Sequence, residues 1–243
     1  MSSDGGSEAP SGYRRRVSID PRPGRVGAWV EDDFHHFGVD IEHDGKTALR
    51  IATHAPRFPW TTCPAAGDFL IGQFQGRALA DIGASDDQRL HCTHLYDIAV
   101  AAARHALEDA PTVYDIAVAD DRGHGALAEI AVNGAPSLRW LFSKTPVEGD
   151  IPSGDMAAFL EWTRRLGPAM KEAGMMFRRG AMVSGGRRLD LESYRTASEV
   201  GQHGACFTLQ PERAAGAGRV IGAIRDFWRA PDALLADAAE GGG

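Results

Sequence analysis

The 243-residue chain is poor in cysteine. Its three, Cys63, Cys92 and Cys206, are odd in number and far apart, which argues against a disulfide framework and leaves reduced thiols, thiolates or ligands. No C-x-x-C or H-x-x-x-H spacing occurs, so a metal site would depend on the fold bringing distant residues together. No run of 18 apolar residues is present, and MSSDGGSEAPSG lacks the charged-then-apolar order of a signal peptide; a membrane span is not expected and the cytoplasm is the default. Positive charge is short too. Lys and Arg number 26 against 33 Asp and Glu, a net −7, so neither nucleic acid nor an anionic membrane is an expected partner. Residues 1–12 and 236–243 hold few large apolar groups and are expected to be disordered.

Between these ends the chain is long enough for one large domain or two small ones. Phe37, Val39 and Ile41 alternate with polar or small residues, Asp44-Gly45 supplies a turn, and Leu49, Ile51 and Thr53 alternate again, which predicts a hairpin. After Trp60 the period changes. Ala66, Phe69, Leu70 and Phe74 mark one face of a helix over 64–79 with Pro64 in its first turn, and Leu95, Ile98, Ala99, Ala102 and Ala106 mark a second over 92–108. TVYDIAVADD, ALAEIAVNG and SLRWLFS predict three further strands, and Met156 to Met170 a helix capped by Ser153. Residues 178–202 carry no clear pattern. The fold class expected is α+β: an antiparallel sheet packed on helices, with a core over 13–110 and an α+β extension over 111–235.

Cys63 and Cys92 both fall at helix starts, where backbone N–H groups and the macrodipole favour a thiolate, hence a better ligand or nucleophile. His91, Cys92 and His94 form a tight cluster there, and His35 shares a strand face with Phe37. Each has a plainer reading. Cys63 suits a small buried residue, His35 a hydrogen-bonded core histidine, His36 the surface, and His94 a solvated or supporting position. His203 with Cys206 has turn spacing for a joint site, and Trp60 suits core packing.

The pieces TTCPAAGDFLIGQFQGRAL and HCTHLYDIAVAA, with the hairpin before them, resemble the core of the SufE/NifU superfamily, whose U-type members are iron-sulphur scaffolds. The resemblance spans about residues 30–108. It implies that Cys63, His91 and Cys92 occupy metal- or cluster-binding positions, with Asp33 and His35, in DDFHH, standing where scaffolds carry their first Cys and nearby Asp. The proline- and lysine-bearing segment before the scaffold His-Cys pair is absent, since this chain reads SDDQRLHC. PWTTCP, HCTHL and CFTLQPER are also similar to a bacterial domain family of unknown function, a resemblance that implies catabolism of aromatic or steroid acids.

Thiolates with imidazoles suit Zn²⁺ or non-haem iron rather than Mg²⁺ or Ca²⁺, and a carboxylate favours iron. Three functions are carried forward. One is a Zn or Fe enzyme with ligands among Asp33, His35, Cys63, His91 and Cys92, and with Cys92, His91 and His94 at the reacting centre. It would perform hydrolysis, hydration or lyase chemistry on a small organic acid or its CoA thioester. The second is an iron-sulphur or sulphur-transfer protein using Cys92. The third is a metal-free enzyme with a cysteine nucleophile and a histidine base.

Overall fold

The computed structural model describes residues 10–84 and 86–236. One eight-stranded sheet organises the chain. Its strands are β1 (Gly12–Arg22), β2 (Arg25–Asp32), β3 (His36–His43), β4 (Ala48–Arg57), β5 (Thr112–Ala119), β6 (Ala126–Val132), β7 (Ala135–Phe142) and the short β8 (Ser153–Gly154). Their spatial order is β4-β3-β2-β1-β5-β6-β7-β8, antiparallel throughout except for the parallel β7–β8 edge. β5 adds to the free edge of β1, with Val17 opposite Tyr114, so residues 13–110 and 111–235 share this sheet. The α+β architecture is the one expected.

The α-helices among the described residues are α1 (Ala65–Phe74), α2 (Thr93–His105), α3 (Met156–Arg164), α4 (Pro168–Ser184) and the single turn α5 (Pro211–Ala214). α1 lies against β4, α2 crosses β1, β2 and β3, and α4 crosses β1, β5, β6 and β7. Strand periodicity explains which residues meet them. Tyr13, Arg15, Val17 and Ile19 of β1, Val26, Ala28, Val30 and Asp32 of β2, and Phe37, Val39 and Ile41 of β3 are all buried. Leu95 and Ile98 of α2 complete this layer, each such burial being worth about 1.5–3 kcal/mol.

The β3–β4 hairpin forms as expected. Asp44 Oδ1 accepts the N–H groups of Lys46 (2.9 Å) and Thr47 (2.8 Å), and Gly45 takes φ +88°, a conformation natural only to glycine. Three local expectations need correction. The helix expected from Met156 to Met170 is two helices, because α3 ends at Arg164 and Gly167-Pro168 opens α4. Its cap is Asp155, which accepts Ala158 N–H at 2.9 Å, while Ser153 belongs to β8. His36, expected at the surface, is buried at an edge-on contact with Trp29.

After α5 the chain returns to the β1–β2 end of the sheet. Arg225 N donates to Asp33 O (2.7 Å), Leu235 N to Glu31 Oε2 (2.7 Å), and Trp228 packs against the Arg14 guanidinium. Of the ends expected to be disordered, residues 1–9 and 237–243 lie outside the described residues, while Gly12 opens β1. Among the described residues, no helix is long and apolar enough to cross a membrane.

Candidate metal centre

The turn between β2 and β3 builds the site. Asp32 is the last residue of β2 and points to the helix side, continuing the alternation of Val26, Ala28 and Val30. Its Oδ1 accepts the N–H groups of Phe34 and His35, both at 2.9 Å, and lies 3.0 Å from His35 Nδ1. Its Oδ2 accepts Tyr13 Oη–H at 2.9 Å and Arg15 Nη1–H at 3.3 Å. Arg15 stands directly across the β1–β2 ladder from Asp32, so the buried ion pair follows from register. Arg57, at the end of β4, clamps the same turn, its guanidinium donating to the carbonyls of Asp32 (2.6 Å), His35 (3.1 Å) and Asp33 (3.2 Å) and to Glu31 Oε1 (3.0 Å).

The first turn of α2 delivers His94 onto this carboxylate. His94 is 5% exposed, and its Nε2 sits 3.3 Å from Asp32 Oδ2 yet makes no aligned hydrogen bond. Its ring packs against His35, with centroids 3.8 Å apart. Asp32, His35 and His94 thus each present a ligand atom within 4.8 Å of the others, and they are the one such set of three among the described residues. Burial alone raises the Asp32 carboxyl, but the His35 and His94 imidazoles outweigh it and hold the group well below the usual carboxylate range. Burial, aided by the nearby His35 and Arg15, pushes His94 well below the ordinary histidine value against the pull of Asp32. His94 is therefore a neutral imidazole, the form that binds metals.

This cluster opens on a cavity of about 220 Å³. Its floor includes His35, His94, Phe34 and Phe37. Its walls include Trp60, Cys63, Cys92, Val183, Leu189, Leu191, Val200, Cys206 and Leu209, largely apolar side chains. Much of the wall comes from residues 179–209, which include most of the stretch 178–202 that carries no clear pattern in the sequence.

The expected ligands divide. His35 is in the cluster. Cys63 and Cys92 line the same cavity but are not part of the three-ligand set. The expectation that their helix-start positions favour thiolates fails. Burial pushes the Cys63 thiol up to about 12, despite the Thr208 hydroxyl 3.5 Å away, and raises Cys92 and Cys206 too; loss of hydration outweighs the few N–H groups within reach. Asp33 points elsewhere. It pairs with Arg187 (2.9 Å) and accepts Phe227 N–H (3.4 Å), and burial plus the adjacent Asp32 push it up to about 7. His91 is wedged among Phe69, Phe74 and Tyr96, outside the cavity lining, and burial lowers its pKa. His94, read either as a solvated or supporting residue or as part of the reacting centre, is not solvated but buried beside Asp32 and His35. His203 is exposed and lines a neighbouring cavity, while Trp60 lines this one and packs under Arg219.

Asp32, Tyr13, Arg15 and Arg57 were missed. A usable signal existed for two of them: alternation from Val17 and Ile19 back to Arg15, and from Val30 on to Asp32, puts an Arg and an Asp on the core side. The chain matches no protein-family model, and no curated protein matches it.

Proposed function

We propose that Asp32, His35 and His94 hold one divalent transition-metal ion, iron(II) or zinc, and that the protein is a metalloenzyme acting on a small, largely apolar organic acid or its thioester. The observation that carries this reading is His94 Nε2, a buried ring nitrogen without a hydrogen bond, facing a carboxylate and a second imidazole. The 3.3 Å contact with Asp32 is misaligned, so this nitrogen is poorly satisfied where it is buried, and a cation between the three groups would give it a partner. Two imidazoles and one carboxylate are the donor set of non-haem iron(II) oxygenases and are close to that of catalytic zinc sites, and these residues would hold such an ion.

The chain's own residues fill the remaining roles. Tyr13 and Arg15 hold Asp32 Oδ2, and the Phe34 and His35 N–H groups hold Oδ1, which fixes the carboxylate before anything binds. Arg57 fixes the turn that carries both Asp32 and His35. When bound, the ion supplies Lewis acidity and a bound water of lowered pKa, the chemistry that hydrolysis, hydration or lyase reactions need. Charge points to the substrate. Arg15 and Asp32 cancel, His94 is neutral, and a divalent ion leaves a surplus of positive charge in a dry site, which an anionic ligand from an acid or an enolate offsets. Neutral thiols at Cys63 and Cys92 make the metal-free nucleophile a weaker reading.

Elemental analysis of tag-free protein, prepared with and without oxygen, tests the proposal. About one iron or zinc per chain, removable by a chelator, is the expected result; metal-free protein that takes up neither ion at micromolar concentration overturns it.

A further inference from the structure

A second cavity, of about 510 Å³, adjoins the first. Thr93, Arg179, Met182 and Ala205 line both, so one wall continues into the other. Their characters differ. The first is mostly apolar, whereas the second gathers Arg89, Arg164, Arg178 and Arg179 with His203, against Asp97 as its one acidic lining residue. This stands out in a chain of net charge −7.

The arginines are not equally engaged. Arg179 is held by Asp97, its Nε 2.6 Å from Oδ2. Arg89 pairs with Asp87 and Arg164 with Glu161, both in exposed pairs, which are weak and readily exchange partners. Arg178 has no hydrogen-bond or ion-pair partner among the described residues, although it is half-buried on α4. Burial and the neighbouring Arg179 and Arg164 disfavour its charge. Like charges crowded around an unpaired guanidinium are relieved by an anion. Planar guanidinium groups suit phosphate, which they bind through paired N–H donors.

We infer that this second cavity binds the phosphate groups of a substrate whose apolar acyl part enters the first cavity, and that the substrate class is an acyl thioester of coenzyme A. The inference rests on the proposed metal site, since it is there that the acyl carbonyl would react. Arg89, Arg164 and Arg178 take the phosphates, and the uncharged pantetheine arm passes Thr93, Met182 and Ala205 to bring the thioester beside His35 and His94. Three arginines without a buried partner around one cavity fit several phosphates better than a single carboxylate, which would need one.

The test is calorimetric titration with S-ethyl coenzyme A, a thioether that neither hydrolyses nor presents a free thiol, alongside S-ethyl 4′-phosphopantetheine and S-ethyl pantetheine. The wild type should bind the coenzyme A thioether at least about tenfold more tightly than the phosphate-free form, with affinity falling as salt rises. R164A/R178A should weaken the coenzyme A thioether about tenfold and leave the pantetheine thioether unchanged. These are surface or half-buried positions, and R178Q, which keeps the side-chain stem, serves as the second variant. If the phosphopantetheine thioether equals the coenzyme A one, the phosphate handle stands but its source is a carrier protein. Equal affinity with and without phosphate, or no binding to the wild type at millimolar concentration, overturns the inference. Metal content measured on the same samples separates the two claims: metal-loaded protein that ignores the thioether sinks only this inference, and metal-free protein that binds it sinks only the metal site.

Discussion

Helix α2 carries a histidine near each end that faces carboxylate, and the two sites differ in how far those groups satisfy one another. At the C-terminal end, His105 uses both ring nitrogens: Nε2 contacts Glu172 Oε1 at 2.6 Å and Nδ1 contacts Glu108 Oε2 at 2.7 Å. Tyr114 Oη–H donates to the same Glu172 oxygen at 2.6 Å. Hydrogen bonding to Glu172 raises the His105 pKa, and a carboxylate at each ring nitrogen favours the imidazolium. At the N-terminal end, His94 is neutral, its Nε2 lacks an aligned partner, and an apolar cavity lies beside it. A network that satisfies its own atoms serves the fold, whereas a buried ring nitrogen without an aligned partner, set between a fully bonded carboxylate and an apolar cavity, leaves a place for something else. The same residue types on one helix therefore read as structure at one end and as a site at the other.

This contrast can be broken by mutation. The largest effect is expected for Asp32→Asn, which leaves the fully buried Arg15 guanidinium without its counter-charge. It should cost about 3–5 kcal/mol in urea unfolding; a loss below about 1 kcal/mol would show that the pair does not hold this end of the sheet. Glu172→Gln weakens the bonds to His105 and Tyr114 and should cost about 1.5–3 kcal/mol. His94→Gln should change metal-free stability by no more than about 1 kcal/mol, because His94 Nε2 makes only a misaligned contact with Asp32. If His94→Gln proves costlier than Glu172→Gln without metal, the division between the two ends is wrong.

A smaller, pH-dependent effect sharpens the comparison. The folded pKa of His105 is raised, so its contribution is full below the unfolded value of about 6.5 and is lost as pH rises through the raised value. Burial would raise Glu172, but its bonds from His105 and Tyr114 outweigh that and lower it. Its contribution is present above about 4.3 and lost as pH falls through the depressed value. The stability difference between wild type and Glu172→Gln should therefore peak between about pH 4.3 and 6.5. A flat difference from pH 4 to 9 contradicts the imidazolium–carboxylate assignment. Smallest of all, Arg165→Ala, which removes an exposed pair with Glu161, should stay within about 0.5 kcal/mol.

Legibility in the sequence followed periodicity. The β3–β4 hairpin, α1, α2 and β5 to β7 were readable because their apolar residues repeat at two or near 3.6 and glycine or aspartate marks the turns. The β1–β2 hairpin was not. Its core-facing side carries Arg15 and Asp32, and the charges of RRR and EDD hide an alternation that Val17, Ile19, Val26 and Val30 keep. The site was half readable for the same reason. His35 stacks on Phe37, as their shared strand face implied, and of the His91-Cys92-His94 segment only His94 joins the three-residue cluster. Asp33, expected from the resemblance, pairs with Arg187 instead, and the carboxylate in the cluster is that of Asp32, which closes a strand that the charged pattern concealed. The expected weight on cysteine failed on burial, which no spacing reveals.

The central claim is that Asp32, His35 and His94 bind one metal ion while the His105 network binds none. Anaerobic cobalt(II) titration of tag-free wild type, His94→Gln and His105→Gln, followed by visible absorption, tests it most directly. One equivalent should bind to the wild type and to His105→Gln, and none at micromolar concentration to His94→Gln. Retention of a full equivalent by His94→Gln, with an unchanged spectrum, would contradict the account.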